Sequence, residues 1–234
     1  MRSRDVVPLD FVIANFMQLE DQMIECMRYI PFIDRNRSVV SPKFIPILLE
    51  SCTLVESIFG RLVADGKRHT LKSYSGLVER ELDLACATTM VLAAPLQFLR
   101  PFRSWSVAPP AWWNAYNQVK HDRISNYDAA SYALTINALA GLHQVIVRNS
   151  AFAESLTKVG WIDESHPNTS DLMLFRNVGC PPPEMPAESR LFVSPIRGDF
   201  ADWGADSEAD SPSISREWEF SWRVKFHIWD YEGW

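Results

Sequence analysis

The sequence predicts a mainly α-helical protein. It indicates a bundle of about five helices over residues 1–150, followed by a small β-appendage within residues 151–234. Three observations support this fold class. Apolar residues recur at spacings of three and four through much of the first part, which is the period of an amphipathic helix. Prolines and acidic residues then replace that pattern, and near the end of the chain apolar and polar residues alternate as in a strand.

The first two predicted helices are the longest. The first covers about residues 10–30, with Asp10 suited to cap its N-terminus and Pro31 suited to end it. The second opens at SPKF, residues 41–44, because serine is a good N-cap and proline fits the first helical position. Its apolar stripe stops near Gly66.

Three further helices complete the predicted bundle. A short third helix covers about residues 70–83, the fourth covers 110–123 and the fifth covers 128–149. The fifth is rich in small and apolar residues, which favours close packing against a neighbouring helix. Residues 88–102, between the third and fourth helices, give no decisive period and are compatible with an extended chain.

The C-terminal part contains two strand patterns. ESRLFVSPI, residues 188–196, is typical of a short strand, and EWEFSWRVKFHI, residues 217–228, alternates apolar and polar side chains throughout. Together they predict a proline-rich and acidic extension that ends in a strand, a hairpin or a small sheet. One face of the second strand must be buried against the bundle or against a partner.

The composition is that of a soluble globular protein. The chain has 234 residues, of which 47% are hydrophobic and 22% charged, and its formal net charge is -6. A negative net charge argues against broad, nonspecific DNA binding. The longest weakly polar run, residues 85–99, is too short to cross a bilayer and contains a proline. Because no apolar signal core follows the N-terminal arginines, we expect a cytoplasmic protein without a membrane partner.

The cysteines and histidines form no recognisable catalytic or metal-binding motif. The four cysteines include no CxxC pair, which favours buried free thiols, and the five histidines are widely separated. A GxSxG nucleophile motif is absent from the sequence. The acidic stretch at 197–213 does not match a calcium-binding EF-hand loop. We therefore expect no metal ion and no cofactor.

The densest group of chemically capable residues is WWNAYNQVKHDR, residues 112–123. On a helix, Asn117 and His121 are one turn apart, and Lys120 lies beside them. Arg123 is one turn beyond Lys120. An imidazole can transfer a proton, and the two cations can hold a phosphate.

Two structural interpretations compete with a functional one for this segment. The aromatic residues at 112, 113 and 116 have the spacing of ordinary core packing. The three basic side chains could pair with acids on a neighbouring helix, such as Glu50 and Glu56. One helix alone does not decide between these alternatives.

The order of these segments resembles a group of bacterial proteins related to the HEPN superfamily. The resemblance covers roughly residues 10–150 and is carried mainly by WWNAYNQVKHDR. HEPN proteins are compact helical bundles, often dimeric, of toxin–antitoxin, CRISPR-linked and phage-defence systems. Catalytic members are metal-independent ribonucleases. Their motif is an arginine, a polar residue that is often asparagine, three variable residues and a histidine, with two copies facing each other across a dimer.

The motif matches this chain at two positions and departs from it at one. YNQVKH places Asn117 and His121 at the family's asparagine and histidine, but Tyr116 stands where the family has arginine. The resemblance implies RNA cleavage or RNA binding through the 112–123 helix. His121 would be the acid or base at the ribose 2′-hydroxyl, Asn117 would orient it or the substrate, and Lys120 and Arg123 would hold the phosphate.

The departure at Tyr116 supports a second hypothesis. In it, the protein is a non-catalytic HEPN-like scaffold or adaptor that binds a partner protein. The amphipathic strand at 217–228 favours this alternative, because such a strand can add to the edge of a partner's sheet. A homodimer or a complex with another protein is expected in either case.

Overall fold

The structure, a computed structural model, describes residues 9–93, 97–162 and 186–196. This part of the chain is a bundle of six α-helices with a small antiparallel sheet, which confirms the predicted fold class. Three short 3-10 turns lie in the connections at residues 34–36, 127–129 and 150–152. The helices are α1 Leu9–Met27, α2 Phe44–Val63, α3 Leu71–Leu82, α4 Ala111–His121, α5 Tyr132–Arg148 and α6 Ala153–Lys158.

The helix ends follow local capping chemistry. Thr70 caps α3, since its Oγ1 accepts a hydrogen bond from the backbone N–H of Ser73 at 3.2 Å. The sequence predicts Ser41 as the N-cap of α2, but in the structure Ser41 does not cap this helix directly. Its hydroxyl instead accepts the N–H of Lys43 at 3.3 Å, and its carbonyl accepts the N–H of Phe44 at 2.9 Å. This turn precedes the helix, so α2 begins at Phe44.

Helix α5 is the centre of the bundle. Most of its residues are buried, and it packs against α1, α2, α4 and the sheet. Close packing depends on its small residues, as the sequence predicted. A Cβ atom placed on Gly141 would lie 3.4 Å from Pro101, Phe102 and Trp112. Helix α4 is therefore held tightly against α5 along its N-terminal half.

The sheet joins two distant parts of the chain. Its strands are β1 Thr89–Val91, β2 Gln97–Leu99, β3 Pro186–Glu188 and β4 Phe192–Pro195, in the spatial order β2–β1–β4–β3. β4 confirms the strand predicted at ESRLFVSPI. It pairs with β1, so the uncertain segment 88–102 supplies half of the sheet. The strand predicted at 217–228 lies outside the described residues.

A buried polar network fixes the sheet to α5. The hydroxyl of Ser194 lies 2.9 Å from Nδ1 of His143 and 2.7 Å from Oγ1 of Thr89. Gln144 donates from Nε2 to Oγ1 of Thr89 at 2.8 Å and to the carbonyl of Ala87 at 3.1 Å. Burial lowers the pKa of His143 to about 3. This histidine is neutral at physiological pH and acts as part of the core.

A second buried contact ties α1 to the β3–β4 turn. Glu20 is only 1% exposed and accepts hydrogen bonds from the Ser189 hydroxyl and from the Leu191 N–H, the latter at 2.8 Å. Burial raises the pKa of this carboxyl to about 7. Among the described residues, no helix combines the length and apolarity needed to cross a membrane.

Candidate functional site

Helix α4 carries the segment that the sequence singled out. Its first turns are held in the core by aromatic packing, because Trp112, Trp113 and Tyr116 are 2%, 7% and 2% exposed. Trp112 also donates its indole N–H to the carbonyl of Pro101 at 2.8 Å. The interpretation of these aromatic residues as core packing is therefore confirmed. They anchor the helix and leave its C-terminal turn at the surface.

A cluster of three residues joins α4 to α2, and we call Glu56, Tyr116 and Lys120 the α2–α4 cluster. The Tyr116 hydroxyl donates to Oε2 of Glu56 at 3.1 Å and accepts a hydrogen bond from Nζ of Lys120 at 2.8 Å. The ammonium lies 3.6 Å from Oε2 of Glu56 and 4.9 Å from the centre of the tyrosine ring. The cluster therefore fixes the direction of the Lys120 side chain.

The α2–α4 cluster is accessible to solvent at its charged ends. The side chains of Lys120 and Glu56 are 50% and 42% exposed, whereas Tyr116 is buried between them. The hydrogen bond to Tyr116 and the nearby Glu56 carboxylate raise the pKa of the Lys120 ammonium. Lys120 is therefore charged at neutral pH, and it already has an acidic neighbour in Glu56.

His121 and Arg123 differ from Lys120 in having no such neighbour. Both are exposed, and neither side chain makes a hydrogen bond or an ion pair within the described ranges 9–93, 97–162 and 186–196. Asn117 is half-buried and lies one turn before His121 on α4, which is the spacing that the sequence predicted. The imidazole of His121 is exposed to solvent.

The turn after α4 is fixed by two side chains. Oδ1 of Asp122 accepts the N–H groups of Ile124 and Ser125, each at 3.1 Å. The Asn126 side chain lies against the end of α4, where its Nδ2 donates a hydrogen bond to the carbonyl of Asp122 at 2.9 Å. These bonds cap the helix and fix the backbone of the turn that carries Arg123. The same turn leaves Ile124 at 89% exposure.

The prediction that the basic residues pair with acids on a neighbouring helix is correct for one residue. Lys120 pairs with Glu56. Glu50, the other acid considered, is exposed and has no partner in the part of the chain that the structure describes. The i, i+4 spacing of Tyr116 and Lys120 could have indicated their contact. The approach of Glu56 could not be predicted, because it depends on how α2 packs against α4.

Other parts of the molecule are less suited to bind a ligand or to catalyse a reaction. No group of three or more His, Cys, Asp or Glu side chains within the described segments is arranged to hold a metal ion. A cavity of about 300 Å³ lies between α1, α2 and the 3-10 turn at residues 150–152. Its walls are mainly apolar, including Leu9, Val12 and Phe152, so it lacks a pair of groups for acid–base catalysis. His143 and Ser194 are fully buried and out of reach of a substrate.

Comparison of the chain with protein-family models, with curated proteins and with solved structures finds no match.

Proposed function

We propose that this protein binds RNA through the C-terminal turn of α4 and, as a HEPN-like homodimer, cleaves it without a metal ion. The observation that carries the proposal is an exposed imidazole, His121, with no partner among the described residues and with two exposed cations within two residues of it in sequence. Structural histidines of a bundle are usually buried and hydrogen-bonded, as His143 is here. An exposed His121 beside Lys120 and Arg123 is better suited to contact a polyanionic substrate than to stabilise the fold.

The proposed reaction uses one histidine from each copy of the chain. His121 of one copy takes the proton of the ribose 2′-hydroxyl, and the 2′-oxygen then attacks the adjacent phosphorus. The bond from phosphorus to the 5′-oxygen breaks, and His121 of the second copy supplies the proton that this oxygen needs. The products are a 2′,3′-cyclic phosphate and a 5′-hydroxyl end.

The remaining residues of the turn bind and orient the substrate. Lys120 and Arg123 offset the charge that develops on the phosphate oxygens. The side-chain amide of Asn117 lies one turn before His121 and can hold the imidazole or a phosphate oxygen. Tyr116 cannot supply the charge of the family's arginine, but its hydroxyl holds the ammonium of Lys120 at 2.8 Å. In this proposal Lys120 takes over the role of the missing cation.

RNA binding is the first step to test. We would measure the affinity for a labelled single-stranded RNA at several salt concentrations by fluorescence anisotropy. Lys120→Met and Arg123→Met should each weaken binding and reduce the salt slope by about 0.7, because one phosphate contact is lost. Arg68→Met is the matched control, since Arg68 is an exposed cation in the connection between α2 and α3 with no partner in the described segments. Equal losses in all three variants would contradict a specific site on α4.

The second candidate function is a non-catalytic scaffold or adaptor in a defence or toxin–antitoxin system. Tyr116 at the arginine position and the pairing of Lys120 with Glu56 favour it. Under this alternative the wild-type protein forms a stable complex with a partner protein, does not bind RNA, and keeps that complex when His121 is replaced by alanine. Analytical ultracentrifugation of wild type and His121→Ala, with and without RNA, separates the two candidates.

A further inference from the structure

Lys120, the cation that binds phosphate in the proposed function, already lies next to the carboxylate of Glu56. Nζ of Lys120 has three N–H donors. One binds the Tyr116 hydroxyl at 2.8 Å, and the ammonium lies 3.6 Å from Oε2 of Glu56. A phosphate that approaches this ammonium therefore meets a carboxylate beside it. Like charges at such a distance repel, so both anions cannot share Lys120 without cost.

We infer that Glu56 is an internal competitor for Lys120: its carboxylate takes the place of an RNA phosphate in the free protein and yields that place when RNA binds. The identity of the anion as RNA rests on the proposed function, whereas the competition itself rests on the α2–α4 cluster alone.

The geometry allows the exchange without disturbing the fold. Glu56 lies within the rigid helix α2, but its side chain is 42% exposed and can rotate towards water. Lys120 would keep its hydrogen bond to Tyr116, whose ring is buried and fixed by packing against Trp113 at 5.1 Å between ring centres. Tyr116 thus keeps its hydrogen bond to the ammonium when RNA binds, whereas the ion pair with Glu56 is exchanged for one with phosphate.

The size of the effect follows from the exposure of the pair. An ion pair between half-exposed side chains changes an equilibrium by no more than about fivefold. Glu56 therefore weakens phosphate binding only moderately. If the carboxylate instead served to position Lys120 for its ligand, its removal would weaken RNA binding. The sign of the change separates the two roles.

The direct experiment replaces Glu56 by its neutral isostere. Glu56→Gln should bind the labelled RNA up to about fivefold more tightly than wild type. Glu50→Gln is the matched control, because it removes one negative charge from an exposed position on the same helix where the described residues provide no partner. The control should change affinity less, because the acid that pairs with Lys120 among the described residues is Glu56 and not Glu50. In a Lys120→Met background, Glu56→Gln should have no more effect than Glu50→Gln.

A second readout keeps this inference separate from the proposed function. Each variant is eluted from immobilised heparin, a sulfated polyanion, in a salt gradient. Glu56→Gln should elute at higher salt than Glu50→Gln, although both have the same net charge. If no variant binds RNA but this difference is present, the RNA proposal fails and the competition by Glu56 stands. If Glu56→Gln matches the control on both ligands, or binds them more weakly than wild type, the inference is wrong.

Discussion

Glu20 and His143 make opposite contributions to the pH dependence of stability, and replacement of Glu20 by glutamine should reveal this. Burial raises the pKa of Glu20 from 4.5 to about 7 and lowers that of His143 from 6.5 to about 3. Glu20 thus contributes stability below pH 4.5 that is lost as the pH rises through 7. His143 contributes stability above pH 6.5 that is lost as the pH falls towards 3.

The magnitudes follow from the linkage between proton binding and folding. One pKa unit corresponds to about 1.4 kcal/mol, so Glu20 accounts for about 3 kcal/mol and His143 for about 5 kcal/mol over their full ranges. Between pH 4.5 and 6.5 the folded protein holds the Glu20 proton, whereas the unfolded chain holds the His143 proton. The two slopes cancel in that interval. Glu20→Gln leaves only the His143 slope, and its stability should rise by about 2 kcal/mol from pH 4.5 to 6.5 relative to wild type.

The assay is urea unfolding followed by tryptophan fluorescence at half-unit steps of pH between 4.5 and 6.5. The difference in unfolding free energy between wild type and Glu20→Gln isolates the Glu20 contribution, because all other titrating groups are common to both. Glu50→Gln, at an exposed position on α2, serves as the control for removal of a carboxylate. A difference between wild type and Glu20→Gln that stays constant with pH would refute the raised pKa of Glu20 and therefore the cancellation of the two slopes.

Two further substitutions test the placement of α4. Tyr116→Phe removes the hydroxyl that links Glu56 to Lys120. The free energy of unfolding, measured in urea, should therefore fall by about 1 kcal/mol. An unchanged free energy of unfolding would contradict the contact. Gly141→Val places a branched side chain where a Cβ already lies 3.4 Å from Trp112, and it should cost about 1–3 kcal/mol, measured as a lower thermal midpoint. A thermal midpoint equal to that of wild type would mean that α4 and α5 are less closely packed than described.

The sequence was sufficient to predict α1 to α5 because their signals are local, whereas α6, with only six residues, is too short to show a helical period and was not predicted. The 3.6-residue period and the flanking prolines and polar caps lie within each element, and the predicted third helix at 70–83 agrees with α3 at Leu71–Leu82. The exception at the start of α2 is also local. Ser41 has both a hydroxyl and a carbonyl that can close a turn, and here both bonds form before the helix begins.

The sheet and the α2–α4 cluster were harder to predict because they depend on contacts between distant segments. β1 is a fully buried run of three residues without alternation, and its partner β4 lies about a hundred residues later in the chain. Spacing alone was enough to place Asn117 and His121 one turn apart on α4. The presence of Glu56 beside Lys120 required knowledge of how α2 packs against α4.

The central claim is that His121 performs acid–base chemistry on RNA, and cleavage in the presence of EDTA tests it most directly. Wild type, His121→Ala and Asn114→Ala would be purified identically and incubated with end-labelled single-stranded RNA. Asn114 is an exposed residue of the same helix and serves as the control. If His121 has this role, wild type and Asn114→Ala should give products with 2′,3′-cyclic phosphate ends, and His121→Ala should cleave at least a hundredfold more slowly. Equal cleavage by all three proteins, or cleavage by none, would contradict it.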